Sequence, residues 1–137
     1  MRFLCLIRAE KVMEQLTPAD AERHFAEYAE FDRSLKASGH YVDCNRLLPP
    51  ASAITVRVRG GSTSTTDGPF AETKEQLGGY YVIEARDLNE AIRIAAKIPG
   101  ARTGAVEVRP IADDSRTRRA LTPVPPPFAA NREKEMS

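Results

Sequence analysis

Between Asp67 and Tyr81 the chain reads Asp-Gly-Pro-Phe-Ala-Glu-Thr-Lys-Glu-Gln-Leu-Gly-Gly-Tyr-Tyr, a turn, four ionisable side chains and a glycine-led strand in one short segment. An Asp67 carboxylate on a turn stiffened by Pro69 could act as a general base, or hold a cation, without reorganising. An aspartate that merely bonds the amides of its own turn accounts for the same residue equally well. Glu72, Lys74 and Glu75 follow closely enough to tune that carboxylate or bind a substrate, Lys74 as the clamp for an anionic group. Their alternative is a solvated charge cluster opening a short helical turn. Gly78 and Gly79 let a ligand or a neighbouring backbone approach, since no Cβ intervenes. Tyr80 and Tyr81 come next, and either could present a phenol to a pocket as hydrogen-bond donor, Tyr80 being the orienting donor of an enzymatic site, against a default of core or interface packing. Outside this segment His24 is a candidate acid–base group at the margin of a helical apolar stripe, with an exposed helix residue as the plain alternative.

The Asp67–Phe70 block resembles, almost letter for letter, the motif of the DGPF branch of the YCII-related family. The similarity extends from Arg2 to about Ile111 and includes Leu47-Leu48-Pro49-Pro50 and Gly104-Ala105-Val106-Glu107-Val108-Arg109-Pro110. The resemblance implies a small bacterial cytoplasmic protein with a ferredoxin-like α+β fold of the dimeric α/β barrel type, a homodimer with its site in a cleft. It also implies a regulatory setting, because genes of this branch often lie beside sigma-factor genes. In the shorter branch of the family a histidine and an aspartate look like the catalytic pair. By alignment that histidine falls nearer Tyr28 than His24, so this chain departs from the pattern.

The bulk numbers narrow the partners. A length of 137 residues fits one domain, and 20 basic against 19 acidic residues leave a formal net charge of +1. Such a balance argues against a general grip on nucleic acid or an anionic membrane surface. The apolar run Phe3–Ile7 is too short for a signal-peptide core or a membrane span, so the expected location is the cytoplasm. Cys5 and Cys44 have neither CxxC spacing nor a nearby histidine and read as free thiols, with no metal site. No phosphate loop, nucleophile elbow, HExxH or dinucleotide fingerprint occurs, and no cofactor is expected.

The elements that must position these residues follow from periodicity. Residues 2–8 alternate Phe3, Cys5 and Ile7 with Leu4 and Leu6, a strand greasy on both faces. Thr17-Pro18-Ala19-Asp20 starts a helix whose stripe is Ala21, Phe25, Tyr28, Phe31 and Leu35, with Gly39 as its stop. A short strand over 40–48 precedes a second over 54–59, which is expected to turn Ile54, Val56 and Val58 inward and Thr55, Arg57 and Arg59 outward. Gly60-Gly61 makes a hairpin into 62–66. A strand over 79–85, a helix burying Leu88, Ala91, Ile92, Ala95 and Ile98, and a strand over 106–111 complete a split βαβ pattern with both helices on one sheet face. The other face then needs a cover, and a second copy of the chain through that sheet face is the economical one.

Residues 1–111 are thus expected to form one ferredoxin-like domain with an inserted hairpin. Residues 112–137 are expected to be a Pro-rich, charged extension, solvated or wrapping the partner with Phe128 as anchor. The functional expectation is a cleft near the dimer interface that binds a small anionic or aromatic molecule and supports cofactor-independent lyase or isomerase chemistry. The alternative is a non-catalytic ligand-binding or accessory protein associated with sigma-factor regulation.

Overall fold

The computed structural model describes residues 1–9, 16–71 and 73–112. Strands β1 (Arg2–Ala9), β2 (Tyr41–Arg46), β5 (Gln76–Glu84) and β6 (Ala105–Pro110) form an antiparallel sheet in the order β2-β5-β1-β6. Helices α1 (Pro18–Ala37) and α2 (Leu88–Ala95) pack on one of its faces, and β3 (Ile54–Arg59) pairs with β4 (Ser62–Asp67) as a separate hairpin. This α+β arrangement, an antiparallel sheet with two helices, is compatible with a ferredoxin-like fold.

The helix starts are set locally. Thr17 Oγ1 accepts the Asp20 N–H at 3.2 Å, Pro18 occupies the first turn where no N–H is needed, and Asp20 adds a negative charge at the positive end of α1. Asp87 caps α2 by accepting the Glu90 N–H at 2.9 Å, and Glu90 reaches back to the Arg86 N–H at 2.7 Å.

Strand register sorts the sheet into two faces. Cys5 pairs with Tyr81 and with Val108, and Phe3 with Ile83, so these side chains share the face beneath the helices. There Phe3, Cys5, Ile83 and Ile98 are fully buried among Phe31, Leu35 and Ile94. Each large side chain so buried contributes about 1.5–3 kcal/mol. Burial pushes the Cys5 thiol up to about 11 and leaves it inert. The opposite face carries Leu4, Leu6, Tyr80 and Val82, all half-buried and uncovered by any helix.

Two expected faces turn out differently. Ile54, Val56 and Val58 point to solvent, 63 %, 59 % and 58 % exposed, while Thr55 and Arg57 on the other side of the hairpin are partly covered. Alternation fixed the two faces of the strand but could not say which one meets the body. In α2 the buried row is Ala91, Ile94 and Ala95, continued by Ile98 just beyond its end, with Leu88 and Ile92 exposed. The apolar residues of α2 span more than one stripe, and sheet contact selects the row that includes the small alanines. The expected helical turn at 72–75 is a bend over the residues described, and Glu72 itself lies outside them, as do the proposed extension and Phe128.

Candidate functional site

α1 contacts the core through its C-terminal half. Phe31 and Leu35 are buried, Tyr28 is half-buried, and Phe25, expected in the same stripe, is 54 % exposed. The N-terminal half therefore stands off the sheet and leaves a cleft of about 570 Å³. Its helix wall carries His24, Phe25, Tyr28 and Asp32, and its floor is Ile7 of β1, Cys44 of β2 and Gly79 to Tyr81 of β5. Leu16, Leu47 and Arg46 also line it, and Gly100 and Thr103 close one end.

His24, Tyr28 and Asp32 are spaced i, i+4, i+8 and so lie along one face of α1. The His24 and Tyr28 rings are 4.7 Å apart at their centroids, and Tyr28 lies nearly parallel to Tyr81 at 6.4 Å. Tyr81 hydroxyl donates to Asp32 Oδ1 across the cleft, joining β5 to α1. Burial, and then that bond to the carboxylate, hold the Tyr81 phenol protonated far above its usual range. Tyr28 hydroxyl accepts the Gly100 N–H at 3.1 Å, which leaves its own proton available to another acceptor. Burial raises the Tyr28 pKa, with the Gly100 bond opposing. Burial lowers the His24 pKa, with Glu27 opposing, so the imidazole is neutral at pH 7. Tyr41 hydroxyl donates to Cys44 Sγ at 3.7 Å, setting the half-buried thiol on the cleft floor.

Two glycines make this geometry possible. A Cβ on Gly79 would stand 2.9 Å from Asn45 O, so the close pass of β2 over β5 requires its absence. A Cβ on Gly100 would stand 2.8 Å from the Tyr28 hydroxyl and 2.9 Å from Ile7 Cγ2, inside the end wall of the cleft. Arg102 grips the Glu27 carboxylate through both oxygens, at 2.9 and 2.8 Å, and ties α1 to that wall.

The residues singled out from the sequence fall in different places. His24, Gly78 and Gly79 line the cleft. Tyr80 lies along its wall, but strand alternation puts its phenol on the opposite face, where Asn45 Nδ2 donates to it at 2.9 Å. Asp67 ends β4 opposite Ile54, away from the cleft, and its carboxylate has no partner among the described residues. The turn after it is held by the Gly68 N–H donating to Ala53 O at 2.7 Å and the Thr55 hydroxyl donating to Gly68 O at 3.0 Å, with Gly68 at φ 100°. Lys74 and Glu75 border a shallow, open hollow with Arg8 and Glu107 at one end of the uncovered sheet face. The segment richest in ionisable groups is thus outside the cleft. Tyr28, Asp32, Tyr81 and Cys44 are the polar groups brought together instead; Tyr81 was one of the two candidate phenols, and the four-residue spacing on α1 is the sequence signal for Tyr28 and Asp32.

Among the described residues no group of three or more His, Cys, Asp or Glu side chains could hold a metal ion, and no helix is long and apolar enough to cross a membrane.

A family model for the YCII-related domain matches residues 1–114. The chain belongs to the YCII-related domain family. An uncharacterised protein of Rhizobium meliloti (strain 1021) is 38 % identical to it over 105 residues, covering 75 % of this chain and 85 % of that protein. The matched span of the YCII-related domain contains every cleft residue named above together with the 67–81 segment, so the family assignment does not by itself choose between the two regions.

Proposed function

We propose that this YCII-related domain binds a small, chiefly apolar molecule, aromatic by preference and bearing one polar or anionic group, in the cleft beneath α1. The observation that carries this reading is a 570 Å³ space, walled by Ile7, Phe25 and Leu47, into which His24, Tyr28 and Asp32 all face from one helix row. Mainly apolar walls with a few convergent polar groups are the usual composition of a small-molecule site. Tyr28 offers a ring face, and its hydroxyl proton suits an anionic substituent.

Acid–base turnover is the chemistry that fits these groups best. Asp32, anchored through Oδ1 by Tyr81, keeps Oδ2 to receive a proton from the ligand, and Tyr28 supplies a hydrogen bond to the charge that develops. In this reading Asp32 replaces Asp67 as base, and Tyr28 takes the donor role first given to Tyr80. The chain works as a cytoplasmic homodimer, the second copy covering Leu4, Leu6, Tyr80 and Val82, because several such side chains left wet are a solubility liability.

Titration of the labelled protein with benzoate and with benzyl alcohol, followed by amide chemical shifts, tests the site. Shifts should concentrate at Gly79, Tyr81 and Gly100, with benzoate binding the tighter. Tyr28→Phe should weaken binding about 3- to 10-fold, as loss of one hydrogen bond does. Shifts confined to residues 67–75, or none with either compound, would remove the proposal.

A further inference from the structure

The cleft beneath α1 is much larger than a single ring. A closed cavity of about 150 Å³ accommodates benzene, whereas this cleft offers about 570 Å³. One ring with one small substituent leaves most of that space to water.

The polar groups are gathered at one end of the space. Tyr81 pairs with Cys5 on one side and with Cys44 on the other, so the Tyr81–Asp32 hydrogen bond and the Cys44 thiol lie at one level of the sheet, against the core. Two residues back along β5, Gly79 pairs with Ile7 and with Arg46, and Leu47 N–H then bonds Gly78 O at 2.9 Å. Gly79 shares the sheet face of Tyr81 and, having no side chain, leaves the floor bare there.

The helix wall follows the same order. Phe25 stands seven residues before Asp32, about 10 Å along the axis of α1. Phe25 and Leu47 both line the cleft and are still 54 % and 39 % exposed, so its outer part is bounded by apolar side chains that no described residue dries. Covering them is a gain that a ring held at Asp32 alone forgoes.

We infer that the ligand is an elongated amphiphile: an aryl head whose polar or anionic group sits at Tyr28, and an apolar tail that passes over Gly79 to Phe25 and Leu47. This ligand shape rests on the cleft being a binding site, as proposed above, and adds a length and an order of polarity to it.

Titration of the full labelled chain with benzoate and with 4-butylbenzoate, followed by amide chemical shifts, tests the tail. Each buried methylene strengthens binding about three- to fourfold, so 4-butylbenzoate should bind at least about 30-fold more tightly than benzoate. Its shifts should extend from Gly79 and Tyr81 to Phe25 and Leu47. Phe25→Ala should weaken both complexes but cut the advantage of the butyl compound about fivefold or more. Equal affinities, with both sets of shifts in the cleft, overturn the tail and spare the single-ring site. A butyl advantage that Phe25→Ala leaves whole, or butyl-specific shifts at Val56 or Leu6 in place of Phe25 and Leu47, also overturns it. Binding of neither compound removes site and tail together.

Discussion

The corner at 67–75 and the row His24, Tyr28 and Asp32 on α1 both hold ionisable side chains, but they differ in what surrounds them. Asp67 is exposed to water where β4 ends, at the open base of the hairpin opposite Ile54. Asp32 is half-buried, bonded to a buried tyrosine and set beside an apolar cleft. Charge density along a sequence marks places that water can solvate, whereas chemistry needs groups that water does not fully reach. The corner's rigidity therefore serves the turn back into β5, and the proposed chemistry falls to α1.

Substitutions can break that contrast. The largest effect is expected for Tyr81→Ala, which empties a core position packed edge-on against Phe31 and releases Asp32. It should cost about 3–5 kcal/mol in urea unfolding, whereas Asp67→Asn should stay within about 0.5 kcal/mol. If Asp67→Asn proved the costlier change, the corner would be the structural keystone and the contrast would fail.

Gly100→Ala sharpens the comparison further. Its methyl meets the Tyr28 hydroxyl and Ile7, so a loss of about 1–3 kcal/mol is expected, together with a shifted Tyr28 ring resonance. A fully stable variant with an unmoved Tyr28 signal would mean that the end wall yields freely.

The smallest effect is electrostatic. Burial holds the folded-state pKa of His24 below its ordinary 6.5, so the unfolded chain binds more protons in that window. Stability should fall as pH drops through about 6.5 towards the folded value, and His24→Gln should flatten that part of the profile. An unchanged slope in His24→Gln would place the imidazole in open water.

Much of the fold was legible because local rules decided it. Thr17-Pro18 and Asp87 announced the helix starts, Gly60-Gly61 the hairpin, and the double-sided run Phe3–Ile7 a strand with two apolar faces. The site was less legible. Tyr28 fits an apolar helical stripe, and Asp32 looks like any polar helix residue until Tyr81, 49 positions later, donates to it.

The amino-acid order by itself therefore determined the elements, their caps and turns, and the pairs of faces each strand would offer, since these depend on neighbours a few residues apart. Only the tertiary structure decided which face is covered: that α1 leans away at Phe25, that the hairpin turns Val56 outward, and that Tyr81 meets Asp32. Those outcomes depend on how distant elements share a limited apolar surface, a balance that periodicity does not encode.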